Sequence, residues 1–456
     1  MATLFRRWRR AAEDAGPASP AVAVPPQADG PRSYFFDTLW LDGEAVVRDV
    51  ELPTFSAMAS DDVEGTGAEP ALARSRLALR DALGAAQPVI SRERFAGRAD
   101  ALTQLIEAIE QRRLHVVVYG ERGIGKTSLV HVFADTARAA RYIVLYGSCG
   151  TDSRFDETIR AFAARIPMLY HRSVLPTTAA VEQTRSFDSM LPAGNFGPRE
   201  ASEVLSDVVG TRVIMILDEY DRVADPAFRR DVAELIKNLS DRAARVQLIL
   251  TGVATNLDEL IGFAPSIRRN IVGLPLRPLA TGEVAEILRL GEASANVVFT
   301  DPAITIIAAL ANGSPYLVRL IGHGAGLLAL DARSTRVDAV HARRAVDQIL
   351  ADWTASLPRR VQALLTGDDA RERWPLLVAA AAAGAYTDGW FIAADVAAEA
   401  TGSVARGSIE GALQRLAEPD NLLESDELGS RQRFRFSSPG VAAMLLMSAA
   451  LARLDG

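Results

Sequence analysis

Residues 115–128 read His-Val-Val-Val-Tyr-Gly120-Glu-Arg-Gly-Ile-Gly125-Lys126-Thr127-Ser128. A short run of strand-forming residues enters an eight-residue stretch that fits G-x-x-x-x-G-K-[ST] and opens a helix at Ser128. Gly120, Gly123 and Gly125 let the backbone bend tightly, so that the amides of Glu121, Arg122, Ile124 and their neighbours can point inward at phosphate oxygens. The N-terminus of the following helix adds partial positive charge at the same place. In such a loop Lys126 reaches the β- and γ-phosphates of a nucleotide and Thr127 ligates magnesium.

Outward from this loop, apolar runs of strand length alternate with helical stretches. The strands expected are 115–119, 142–146, 212–217, 246–251 and 270–274, and the helices between them are 126–140, 155–166, 199–209 and 228–241. A helix over 99–113 precedes the loop, with Leu102, Leu105, Ile106 and Ile109 at helical spacing. Strands alternating with helices predict a parallel sheet covered on both faces. Val213-Ile-Met-Ile-Leu217 then ends in Asp218-Glu219. An acid at the tip of a buried strand is costly unless it faces a cation, and magnesium on a nucleotide is the natural one. Asp218 is thus the metal-side acid, and Glu219 is the candidate to polarise a water that attacks the γ-phosphate.

From 279 the strands are expected to stop, leaving helices at 281–290, 302–311, 315–330 and 337–354. Residues 370–456 offer helices at 374–383, 390–400 and 404–417, then strands at 422–425 and 431–436 around a turn. Three helices followed by a hairpin is the layout of a winged helix-turn-helix. Residues 1–70 read as a largely disordered tail, Pro/Ala/Gly-rich over 16–31 and acidic and Gly-rich over 60–70. Its Tyr34–Trp40 aromatic cluster is a candidate docking segment. Leu4, Phe5 and Trp8 among Arg6, Arg7, Arg9 and Arg10 offer a small amphipathic helix for an anionic surface.

Composition narrows the setting. The 456 residues carry 50 basic and 57 acidic side chains, a net charge of -7, which argues against nucleic-acid binding by bulk charge. One cysteine, Cys149, permits no intramolecular disulfide and fits a reducing cytoplasm, and five scattered histidines give no zinc spacing. The longest apolar runs, 376–385 and 441–454, are too short to span a membrane. Only Lys126 and Lys237 are lysines; the other 48 basic residues are arginine.

Phe95-Ala-Gly-Arg98, the glycine loop, Asp218-Glu-Tyr-Asp-Arg222 and the helices after 279 together resemble AAA+ P-loop ATPases, nearest the replication-initiator (origin-recognition-like) branch. The resemblance implies a RecA-like α/β core over 99–278, behind a helical linker and nucleotide-box lead-in over 71–98. A helical lid over 279–356 and a winged-helix-like domain over 370–456 follow. It implies an ATP-binding hydrolase with Walker A and Walker B motifs, using ATP and Mg²⁺. Thr251 or Asn256 would sense the γ-phosphate, and Arg268 or Arg269 would act as an arginine finger on a neighbouring subunit, hence self-association in the ATP state. Gly313-Ser-Pro315-Tyr resembles STAND signalling ATPases instead, whose proline lies against the nucleotide; that competes with a nucleotide-sensing role for Arg319. The absence of a histidine after His341 favours the initiator-like form.

The C-terminal stretch from 371 carries eight arginines against eleven acids, which is poor for phosphate contact, although Arg431, Arg433 and Arg435 cluster on the expected wing. A protein partner, through this region or the tail, is therefore favoured over DNA.

Overall fold

The computed structural model describes residues 68–174, 185–254, 256–261, 267–367, 370–385, 389–400, 406–418, 422–428, 431–438 and 440–455. The expected tail, with its aromatic cluster and amphipathic segment, lies outside the described residues up to 67.

Helix α1 (Ala68–Leu83) leads to α2 (Ala99–Glu110), β1 (His115–Gly120), α3 (Lys126–Ala139), β2 (Ile143–Ser148), α4 (Phe155–Ala163), α5 (Pro198–Leu205) and β3 (Val213–Asp218). Next come α6 (Pro226–Asp241), β4 (Val246–Val253), α7 (Leu257–Ile261) and β5 (Ile271–Pro275). The five strands form one parallel sheet in the order β2-β3-β4-β1-β5. Alternation along each strand divides the core in two. Val213, Met215 and Leu217 pack with the α4–α6 side, whereas Ile214 and Ile216 pack with α2 and α3. Every residue of β3 is buried, which is why its sequence is unbroken apolar until the terminal acid. The order puts β4 between β3 and β1, so the ends of all three strands meet beside the glycine loop.

After the sheet come α8 (Thr281–Ala295), β6 (Val298–Phe299), α9 (Asp301–Ala311), α10 (Pro315–Asp331), β7 (Arg336–Val337) and α11 (Ala339–Ser356). The chain continues through α12 (Arg359–Thr366), α13 (Ala370–Ala385), α14 (Ala393–Glu399) and α15 (Arg406–Leu416) to an antiparallel hairpin, β8 (Leu423–Leu428) with β9 (Arg431–Phe436), and α16 (Gly440–Asp455). Strands do not stop at 279: β6 and β7 pair in parallel over two residues each, too short for periodicity to reveal. The second strand lies one to two residues later than expected because Tyr142 still caps α3, donating its amide to Ala137 O. The apolar run 441–454 is α16, whose Val441, Met444, Leu445 and Leu451 are buried in the helical core. Among the described residues no helix is long and apolar enough to cross a membrane.

Helix α1 precedes the sheet in sequence yet packs with the helices that follow it. Leu79 and Leu83 are fully buried, Leu83 against Gly291 of α8 and Leu79 against Gly326 of α10. One apolar cluster runs from these leucines through α8–α11 to Phe434 and Met444. Residues 84–98 therefore run from the helical region to the sheet. Leu79→Ala is expected to cost about 2–5 kcal/mol, since the site is enclosed by backbone and cannot collapse freely. The loss should appear as a lower urea midpoint in the full chain.

Candidate nucleotide site

Gly120 ends β1 where its backbone closes on the strand beside it: Leu276 donates its amide to Tyr119 O, and a Cβ on Gly120 would lie 2.8 Å from Leu276 O. Gly125 stands at the N-cap of α3 with φ of 95°, a conformation that disfavours any side chain. Ile124 between them is buried under the loop. The lead-in braces it: Arg98 Nη2 donates to Ile124 O at 3.2 Å, and Val89 N donates to Ser128 Oγ at 3.1 Å. Lys126 curls over the loop, its ammonium donating to Gly120 O at 2.9 Å and Glu121 O at 2.7 Å. Burial lowers its pKa to about 8, against the opposing pull of Asp221, Asp218 and Glu121. Burial also raises the Glu121 carboxyl above its ordinary value, with Lys126 opposing. Thr127 is half-buried at the first turn; Arg122 and Gly123 are exposed.

Asp218, 2% exposed, accepts from three donors. The Thr251 hydroxyl and Glu219 N (2.9 Å) meet Oδ1, and Tyr146 OH meets Oδ2 at 2.7 Å. Tyr146 is held well above the usual phenol pKa by burial and then by its bond to Asp218, and its ring lies 4.5 Å from that of His131. At Glu219 the chain turns with φ of 53°, lifting the carboxylate out of the sheet to 47% exposure. There it accepts from Ser148 Oγ at 3.0 Å and Arg222 Nη1 at 2.8 Å. Asp221 accepts from Val253 N at 2.9 Å and so pins the end of β4.

The other candidates separate. Thr251 reaches Asp218, whereas Asn256 is exposed and exchanges bonds with Glu259 at the start of α7. Arg268 pairs with Asp258 and Arg269 lies 3.9 Å from Asp241; both precede β5, at the sheet edge opposite the glycine loop. Ser314 Oγ lies 3.5 Å from Gly123 O, and Pro315 would meet a Cβ on Gly125 at 3.5 Å. Arg319 does not turn to the loop: its buried guanidinium donates to Ala82 O and to Arg94 O (2.7 Å), and burial lowers its pKa to about 10. Phe95 packs against the α2–α3 side of the core. Arg98 is buried, and its Nε has no partner among the described residues. Cys149 is a buried thiol pushed up to about 12 by burial.

Tyr146, Ser148, His131 and Arg222 were not read as site residues from the sequence. Tyr146 and Ser148 are two apart on β2, hence on one face, and β2 borders β3 with Ser148 level with Asp218. Arg222 closes the Asp218–Arg222 stretch and offered the one local signal. Among the described residues no cluster of three His, Cys, Asp or Glu could hold a metal ion by itself. Thr127 and Asp218 supply the sparse oxygen set that suits a magnesium ion completed by phosphates and water.

A glycine loop joining the first strand of a parallel sheet to its helix, beside a buried acid ending a neighbouring strand, defines an α/β P-loop NTPase. Residues 94–251 match the AAA ATPase domain family. No curated protein sequence matches the chain. Similar solved structures include a Walker-type ATPase of Pyrococcus abyssi, 16% identical, covering 79% of this chain and 98% of that one with a TM-score of 0.45. Orc1 of Aeropyrum pernix in complex with DNA is 16% identical, covering 84% and 98% with a TM-score of 0.42. The RuvB Holliday junction branch migration motor of Thermotoga maritima is 17% identical, covering 57% and 72% with a TM-score of 0.38.

The lowered pKa of Lys126 has a pH signature. Its ammonium is charged below about pH 8 and is lost above it in the free protein, so phosphate binding at higher pH must take up a proton. Nucleotide affinity should fall roughly tenfold per unit above that pH. Fluorescent-nucleotide titrations from pH 7 to pH 9.5 test this, and a flat profile would show that deprotonation of Lys126 does not limit binding in that range.

Proposed function

We propose that this chain is a magnesium-dependent ATPase of the AAA+ type that works as a conformational switch or assembly factor. The observation that carries the reading is the meeting of Lys126, Asp218 and Thr251 at the glycine loop, with Glu219 turned out beside them. In this reading residues 99–278 are the ATPase core, 279–356 the lid and 370–456 a winged-helix-like unit. Lys126 leaves the Gly120 and Glu121 carbonyls to hold the β- and γ-phosphates with the loop amides. Thr127 and Asp218 place Mg²⁺, which when bound neutralises charge on the phosphate oxygens. Glu219 takes the proton of the attacking water on Oε1, while Ser148 and Arg222, which both donate to Oε2, hold the carboxylate in place. Thr251 acts through Asp218, holding its carboxylate in one orientation. The contact of Ser314 and Pro315 with the loop gives the lid a direct register of what the loop holds. The choice of ATP over GTP rests on the family resemblance.

A second reading is supported by that same contact. With Pro315 against Gly125, a lid closed over ADP describes a nucleotide-gated module with little turnover. Glu219→Gln separates the two. The ATPase reading expects turnover to fall about 10²–10⁴-fold while ATP affinity holds, the size of a lost general base. Unchanged turnover would sink Glu219 as the base; absent turnover in the unaltered chain, with ADP retained through purification, favours the gated module.

In this reading Arg268 or Arg269, ahead of β5, acts as an arginine finger on a second copy. Light scattering should report a larger species with a slowly hydrolysed ATP analogue than with ADP, and Arg268→Ala with Arg269→Ala should abolish that growth. For the C-terminal unit a protein partner is preferred to DNA. Arg433 and Arg435 pair with Asp426 and Glu424 on the facing strand and stack 4.4 and 4.6 Å from the Trp390 ring, so two of the three wing arginines are already engaged.

A further inference from the structure

At the sheet edge opposite the glycine loop, the starts of β1, β3, β4 and β5 surround a cavity of about 570 Å³. Strands of this length put it about 20 Å from the loop. Its charged lining is Arg113, Arg212, Arg245, Arg269 and Asp241. Acids outnumber bases in the chain as a whole, so four guanidinium groups against one carboxylate is a local departure from composition. Arg269 lies 3.9 Å from Asp241; Arg113, Arg212 and Arg245 have no carboxylate partner among the described residues. Arg113 and Arg245 are exposed at the rim and Arg212 is half-buried.

The buried lining sets three polar side chains beside Leu239 and Val246. Gln247, 2% exposed, donates from Nε2 to Ile109 O at 2.8 Å and Leu114 O at 3.3 Å, which leaves its buried Oε1 without a partner among the described residues. A buried carbonyl oxygen with no donor costs roughly 1–3 kcal/mol, so its retention needs a reason. His115, 3% exposed, accepts from Leu248 N at Nδ1, and burial keeps the ring neutral, so Nε2 carries the hydrogen. Asn270 completes the buried polar set.

We infer that this cavity is a second ligand site, distinct from the glycine loop, for a small phosphorylated molecule: the arginine rim takes the phosphate oxygens and the Gln247–His115–Asn270 floor takes a polar head group. The volume lies in the range of small-molecule pockets. A duplex or a flat protein surface would reach the rim and leave the floor unused. Planar guanidinium groups suit phosphate through paired N–H donors.

Inorganic pyrophosphate is the probe, titrated calorimetrically into the full chain without nucleotide. Lys126→Ala, which disables the loop, should keep one pyrophosphate site. Adding Arg113→Gln, Arg212→Gln and Arg245→Gln should remove it. Because Arg245 is exposed, Arg245→Glu alone leaves the core intact and should weaken that site at least about tenfold, the size of a lost charge-assisted hydrogen bond. Pyrophosphate binding that vanishes with Lys126→Ala, or survives the arginine changes, overturns the inference without touching the ATPase reading. So does an arginine-dependent rise in oligomer size, or arginine-dependent binding of a single-stranded oligonucleotide, when pyrophosphate does not bind.

Discussion

Asp218 is a buried carboxylate at the end of a fully buried strand, and the region around it is arranged to make that tolerable. An isolated charge there would cost several kcal/mol, and hydrogen-bond donors held in place around it offset that cost. They come from three adjacent strands: Tyr146 on β2, the Glu219 amide at the end of β3 and Thr251 on β4. The carboxylate thus ties the tips of β2, β3 and β4 together beside the loop that leaves β1. Shifting the register of either neighbouring strand by one residue would turn Tyr146 or Thr251 to the opposite face and strip Asp218 of a donor. The same constraint explains the turn at Glu219. With Asp218 held inward, the next residue must reverse direction, and its left-handed conformation projects a second carboxylate outward.

Arg319 makes a comparable tie between the two halves of the chain. Its guanidinium joins the end of α1, through Ala82 O, to the lead-in, through Arg94 O. Four residues further on, Arg98 is bonded to Ile124 O in the glycine loop, and Gly97 N donates to Glu286 of α8 at 3.2 Å. Helices α8 and α10, residues 94–98 and the glycine loop are therefore connected by short polar contacts as well as by packing. The loop thus contacts α8 indirectly through residues 94–98 and lies directly beside Ser314 and Pro315 at the start of α10.

The parallel sheet was legible because its strands are buried on both faces and its loop has a motif whose spacing has one geometric purpose. Strand bounds fell within about two residues: starts came late where a cap or tight turn extends the preceding element, as at Tyr142, and each strand of the sheet ran one or two residues past its expected end. What stayed hidden depended on register or on distant contact. Nothing local marks Tyr146 as a partner of Asp218, seventy-two residues away, or Arg319 as a partner of Ala82. Thr251 and Asn256 are equally good by spacing. They part because Thr251 still belongs to β4 and faces β3, whereas Asn256 lies beyond the strand and caps a helix. The β6–β7 pair was invisible because two residues carry no period.

The two lysines show how composition and environment combine. In a chain with 48 arginines, Lys237 is exposed on α6 and could be either residue at little cost. Lys126 could not. Its ammonium sits within the glycine loop on two carbonyls six and five residues before it, an arrangement that suits a compact point charge better than a planar fork with five donors. An ammonium also yields its proton when desolvated, which a guanidinium does not, so burial shifts Lys126 towards neutrality while neighbouring acids pull the other way. Both acceptors are backbone carbonyls, so in this arrangement the ammonium is held by two charge-assisted hydrogen bonds to neutral groups and not by a direct ion pair.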